Sequence, residues 1–155
     1  MAEFLERYTL HDSCWVRFLA DPDGTAEVLL KWDTHWTDGQ LPYSTETKNW
    51  PLLIIMFEKL YQACFNGEDM VWNTVGTAFS NVITDQQKES WLALLPDETG
   101  LPHLRFVLED SLHHTVIEDV GGGRVDLFHS AQVRILCLDE VENAIDIPWE
   151  GVAKN

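Results

Sequence analysis

Residues 14–33 constrain this chain more than any other stretch, because two alternating runs meet there at a turn. Cys14, Val16, Phe18 and Ala20 alternate with Trp15, Arg17 and Leu19. After Asp21-Pro22-Asp23-Gly24, Ala26, Val28, Leu30 and Trp32 alternate with Glu27, Leu29 and Lys31. Successive side chains of a strand point to opposite faces, so period two marks a strand with one apolar side. Proline presets the backbone angle for a turn, and glycine accepts the positive φ that closes it. The pattern predicts a β-hairpin over 14–20 and 25–33.

The rest of the chain continues in the same idiom. Residues 33–50 hold Gly39, Pro42, Ser44, Thr45 and Thr47 and read as a surface loop punctuated by Trp36 and Trp50. The stretch 51–67 has two readings. Pro51 at its start and Asn66-Gly67 past its end suit a helix, whereas Leu52-Leu53-Ile54-Ile55-Met56-Phe57 looks like a buried strand continuing through Leu60 and Tyr61; the strand is preferred. Thr84 with Gln87 forms a capping-box signature, and Glu89, Leu92 and Leu95 follow before Pro96, so a short helix is expected here. Strands are expected at 104–108, at 114–120, through Val125, Leu127 and His129, and through Val133, Ile135 and Cys137, with a short edge strand at Ile145 and Ile147. Gly121-Gly122-Gly123 supplies a tight turn. Leu10-His11-Asp12-Ser13 and Leu108-Glu109-Asp110-Ser111 share a phrase, too little to define a repeat.

Hairpin following hairpin favours an antiparallel sheet over a βαβ arrangement. The expected fold is a β-rich α+β domain, its antiparallel sheet a meander or barrel-like, with one or two short helices. A single domain over 1–155 accommodates it, since 155 residues fit one ordinary core and no linker interrupts them. Met1 to Arg7 lacks the basic and apolar regions of a signal peptide, and the longest apolar run is far too short to span a bilayer. Cys14, Cys64 and Cys137 are odd in number and form no Cys-x-x-Cys pair, which disfavours a disulfide framework. A reduced cytoplasm is the expected compartment.

Charge narrows the partners. The formal net charge is −16, with 12 acids and 5 bases in residues 1–77 and 14 acids and 5 bases in residues 78–155. Phosphate binding needs Lys and Arg to displace counterions, so nucleic acid and anionic membrane surfaces are excluded. A basic protein partner is permitted, because opposite fields steer encounter.

No motif implies a reaction. His11-Asp12-Ser13 has the residue types of a catalytic triad, yet a triad is assembled from separate segments aimed at one another. These three read as a structural turn whose side chains bond nearby backbone N–H groups. The six histidines include no His-x-His or His-Glu-x-x-His spacing, so neither a metal nor another cofactor is called for. His129 stands to meet His103 or His114 across a sheet, near Glu109 or Asp119, in a register that local pattern leaves open. Gly121, Gly122 and Gly123 lack the Gly-Lys-Ser/Thr of a phosphate loop and read as a hairpin turn. Of seven tryptophans, Trp15, Trp72 and Trp91 look like core, while Trp32, Trp36, Trp50 and Trp149 fall near loops or element ends, where Trp often anchors interfaces. Trp32 and Trp36, with the neighbouring Asp33 and Asp38, form the candidate partner-binding set.

The phrase Phe4-Leu5-Glu6-Arg7-Tyr8-Thr9-Leu10-His11-Asp12-Ser13 resembles the opening of small uncharacterised bacterial proteins, some grouped with predicted immunity proteins of polymorphic-toxin systems. The resemblance continues in Leu29-Leu30-Lys31-Trp32-Asp33 and in Glu118-Asp119-Val120-Gly121-Gly122-Gly123-Arg124-Val125-Asp126-Leu127, and covers about half the chain. It implies a bacterial, cytoplasmic, non-enzymatic protein and carries over no catalytic residue. The expected function is therefore an acidic interaction protein, as an immunity protein binding a basic toxin would be. A barrel-like domain holding a small ligand among tryptophans is the alternative, and a hydrolase using histidines and carboxylates is the third.

Overall fold

The structure, a computed structural model, describes residues 1–35, 51–66, 74–93, 111–138 and 144–146. Within them the order is α1 (Ala2–Arg7), β1 (Cys14–Ala20), β2 (Ala26–Lys31), β3 (Leu52–Phe57), β4 (Leu60–Asn66), β5 (Val75–Val82), α2 (Asp85–Ala93), β6 (His113–Asp119), β7 (Arg124–His129), β8 (Val133–Leu138) and β9 (Ala144–Asp146). All strand pairs are antiparallel. They form a five-stranded sheet in the order β1-β2-β3-β8-β9 and a four-stranded sheet in the order β4-β7-β6-β5. The β-rich antiparallel class is as expected; among the described residues the strands divide between two sheets and close no barrel.

The hairpin of 14–33 forms as β1 and β2, Asp21 accepting from Gly24 N–H at 3.0 Å and Gly24 holding φ +94°. The capping box also forms: Gln87 N–H donates to Thr84 Oγ1 at 3.3 Å and Thr84 N–H to Gln87 Oε1 at 3.0 Å. The single strand expected through 52–61 is corrected. The chain breaks at Glu58-Lys59, leaving β3 in one sheet and β4 in the other. Glu58 N–H donates to Gln132 O and Ser130 N–H to Lys59 O, so the crossing from β3 to β4 runs beside the crossing from β7 to β8. The strand expected at 114–120 is β6, which starts at His113 and ends at Asp119, and Val120 belongs to the turn. The strand expected at 104–108, and residues His103, Glu109, Trp36, Asp38, Trp50, Trp72 and Trp149, lie outside the described residues, as does the Trp91 side chain.

The core fills the space between the sheets. Val28, Leu30, Leu53, Ile55, Ile135 and Cys137 face inward from the first, and Ile117, Val125 and Leu127 from the second, each at most 1% exposed. Burying side chains of this size stabilises by roughly 1.5–3 kcal/mol apiece. Helix α1 adds Phe4, whose ring lies 5.1 Å from Tyr8 and 6.1 Å from Trp32. The two sheets also meet at one corner: Asp12 N–H donates to Val75 O and Val75 N–H to Ser13 O. No helix of the described residues is long and apolar enough to cross a membrane.

Candidate functional site

His11, Asp12 and Ser13 do form a turn, with Ser13 N–H donating to Leu10 O at 3.0 Å and Asp12 at φ +63°. His11 Nδ1 approaches Asp12 Oδ2 at 3.2 Å on the surface. Ser13 points the other way: it is fully buried, and its Oγ accepts from Asp33 N–H at 3.0 Å. Its partner is thus 20 residues away rather than local, and the hydroxyl clasps the end of β2 to the chain that enters β1. The three residue types do not converge on one point, so they make no triad.

Of the candidate partner-binding set, Trp32 and Asp33 fall among the described residues. Trp32 is fully buried, its Nε1–H donating to Thr9 O at 2.8 Å and its ring edge-on to Tyr8 at 5.8 Å. Asp33 is buried too, with Oδ1 accepting from His35 N–H at 2.9 Å. The reading of Trp32 as a loop-borne anchor is corrected: one residue past β2, it keeps the inward side of the strand's alternation and packs under α1.

Histidines and carboxylates gather instead on the four-stranded sheet. On its inner face His129 is fully buried, 4.6 Å from the Phe57 ring and stacked at 5.8 Å on His113, its register partner. His129 Nδ1 lies 2.6 Å from Ser130 O, which can only accept, so the ring hydrogen sits on Nδ1. Nε2 then accepts from the Thr115 hydroxyl at 2.7 Å. Thr115 Oγ1 is also 2.9 Å from Ser80 Oγ. With the Thr115 proton committed to His129, Ser80 supplies the proton of that second contact. Burial, with lesser repulsion from His113, the Met1 amino group and His114, pushes the His129 pKa down to about 3. His113 is lowered as well, chiefly by burial and then by the Met1 amino group.

On the outer face an ion-pair chain crosses β6 and β7. Arg124 donates from Nε and Nη2 to the two oxygens of Asp126, both at 2.8 Å, and from Nη1 to Glu118 Oε1 at 2.9 Å. His114 Nε2 lies 2.7 Å from Asp126 Oδ1, its ring stacked parallel on Phe128 at 4.5 Å. The Arg124 hydrogen bond holds the Asp126 carboxyl below its usual range, a shift that burial opposes and His114 reinforces. Cys64 stands opposite Asp126 on β4, and burial followed by that carboxylate raises its thiol pKa. A thiol kept protonated is a poor nucleophile. The pairing of His114 with Asp126 orients an imidazole, and among the described residues no activated nucleophile stands beside it.

Local pattern missed the pairing of His129 with His113 because it depends on how the glycine turn closes. Asp119 Oδ1 accepts from Gly121 and Gly123 N–H at 2.6 and 3.0 Å, and Asp119 N–H donates to Gly123 O at 2.9 Å. Once Glu118 pairs with Arg124, counting back along both strands brings His113 opposite His129. Among the described residues no group of three or more His, Cys, Asp or Glu could hold a metal ion.

A third feature lies at the end of the sandwich where Gly24 O accepts from Leu60 N–H at 2.7 Å. That bond brings the turn carrying exposed Asp21 and Asp23 to the crossing that carries exposed Glu58. Asp23 accepts from Thr25 N–H, which lowers its pKa. Nearby on β1, Leu19 is exposed, and Phe18 meets the exposed Phe65 at 5.2 Å. No family model, curated protein or solved structure matches this chain.

Proposed function

We propose that this chain is a non-enzymatic interaction protein whose acidic surface receives a basic protein, and that it acts as a bacterial cytoplasmic immunity protein holding a toxin. The observation that carries this reading is the net charge of −16, expressed at the sandwich end by exposed Asp21, Asp23 and Glu58. Such a field speeds encounter with a basic partner. Leu19, two residues before Asp21, gives the neighbourhood of that turn an exposed apolar side chain able to hold a complex once formed. The resemblance of the opening segment to predicted immunity proteins points the same way.

The test is binding kinetics against the basic protein recovered by pull-down from the source organism. Asp21→Asn with Glu58→Gln should slow association several-fold at low salt and leave dissociation nearly unchanged, because rim charges act on the on-rate. An on-rate indifferent to both the substitutions and salt sinks the proposal.

A further inference from the structure

The two sheets share one bent ribbon. Phe57 pairs with Val133 in the first sheet and Leu60 with His129 in the second. Between these pairs Glu58 N–H donates to Gln132 O and Ser130 N–H to Lys59 O, so the pairing continues through the bend. Both passages of the chain from sheet to sheet lie here, because β1 to β3 and β8 to β9 belong to one sheet and β4 to β7 to the other.

Among the described residues, backbone hydrogen bonds join the sheets at two further places. Gly24 O accepts from Leu60 N–H beside the bend. The other place holds the bonds from Asp12 N–H to Val75 O and from Val75 N–H to Ser13 O, with Cys14 opposite Thr74 in an antiparallel bridge. Val75 pairs with Asp119, whereas His129 pairs with His113, so six residues of β6, roughly 20 Å, separate this latch from the bend.

His129 stands on the inside of the bend. Phe57 covers it from the first sheet, His113 and Thr115 flank it on β6, and Ser80 lies beyond Thr115 on β5. Both ring nitrogens are already matched. The ionisable groups whose charge reaches the ring are His113 and His114 on β6 and the Met1 amino group before α1, all of them bases. A second proton on the ring meets repulsion from each of these.

We infer that the bent ribbon is a hinge, and that protonating His129 opens the sandwich about it, parting Asp12 and Ser13 from Val75 while each sheet keeps its own ladders. Opening lifts Phe57 off the inner face and lets water reach the imidazole, which a charged ring requires and a neutral one does not. Movements of this kind lie below global unfolding in free energy. The hinge is independent of any basic partner.

Native-state amide exchange on the full chain at pH 7 and pH 5, corrected for the intrinsic effect of pH, tests it. Protection at the Asp12 and Val75 amides should be weaker than within β3 at both pH values. It should fall roughly 25-fold at pH 5, as follows when His129 titrates near 6.5 in the open state and at about 3 in the closed one. In His129→Gln the fall should shrink to about threefold or less. Thr74→Cys places a thiol opposite Cys14 at a spacing that a disulfide can bridge. Once oxidised, this variant should protect Asp12 and Val75 as strongly as β3. Latch amides that match β3 in the wild type, ignore pH, fall as far in His129→Gln, or exchange as before after oxidation overturn the inference.

Discussion

Thr115 Oγ1 sits 2.7 Å from His129 Nε2 in the space between the two sheets. That contact and the bond from Nδ1 to Ser130 O define a neutral imidazole with both nitrogens satisfied. Protonating Nε2 would set a second N–H against a hydroxyl whose proton is aimed at it, in a site where water cannot help. The hydroxyl would have to turn, which disturbs the contact with Ser80. Buried polar networks of this kind are stable only while every member is matched.

Acid should therefore loosen the sandwich before it touches the carboxylates. His129 has a folded pKa of about 3 against 6.5 for a free histidine, so between those values the unfolded chain holds more protons. Its contribution is complete above about pH 6.5 and declines as pH falls towards about 3, by at most about 1.4 kcal/mol per pH unit. The lowered pKa of His113 adds in the same direction. Urea melts at pH 7 and pH 5 should show the wild type losing stability, and His129→Gln losing clearly less. Equal losses in both would mean that another group governs the acid response.

Trp32→Ala should be a stability lesion rather than a binding one. Removing a fully buried indole that packs on Phe4 and Tyr8 leaves a cavity and strands the Thr9 carbonyl. The loss should be about 3–5 kcal/mol. A Trp32→Ala protein that melts like wild type would contradict its place in the core.

Legibility in the sequence followed the range of the interactions. The β1–β2 hairpin, the capping box at Thr84 and Gln87, and the glycine turn after Asp119 are set within a few residues, and local pattern found each. The break at Glu58-Lys59 escaped because both sides of it are apolar, so periodicity carries no mark of a change of sheet. Helix α1 has six residues and buries Phe4 alone, too few for a helical period to register. Strand β5 escaped notice, its alternation diluted by Thr77, Asn81 and the exposed Phe79. The pairing of β3 with β8, 80 residues apart at Ile55 and Ile135 by numbering, depends on burial between distant segments, and so does the fate of Trp32. The histidine cluster was half legible: its members were named, and its pairing waited on the register.

Two of the three positive-φ positions among the described residues, Gly122 and Asp12, should both lose stability when a β-branched residue replaces them. Gly122 has φ +91° with nothing within 4 Å of where a Cβ would stand, so Gly122→Val should cost about 1–2 kcal/mol through the backbone alone. Asp12 already tolerates φ +63°. Asp12→Gly should hold or gain a few tenths of a kcal/mol, while Asp12→Val should lose about 1 kcal/mol or more. Thermal melts of the three variants suffice, and a Gly122→Val protein as stable as wild type would refute the turn geometry.

Ser13→Ala isolates the clasp between the chain before β1 and the end of β2. The hydroxyl is buried and receives Asp33 N–H at 3.0 Å, so deleting it leaves a buried donor unpaired and should cost about 1–3 kcal/mol. A catalytic serine would behave otherwise, since removing a nucleophile usually spares stability. Ser13→Thr keeps the oxygen and adds a methyl to a packed site, so it should retain the hydrogen bond at a smaller packing cost. Amide exchange at Asp33 reads the contact directly: it should accelerate in Ser13→Ala and stay near wild type in Ser13→Thr. Unchanged exchange in the alanine variant would show that the hydroxyl does not hold the end of β2.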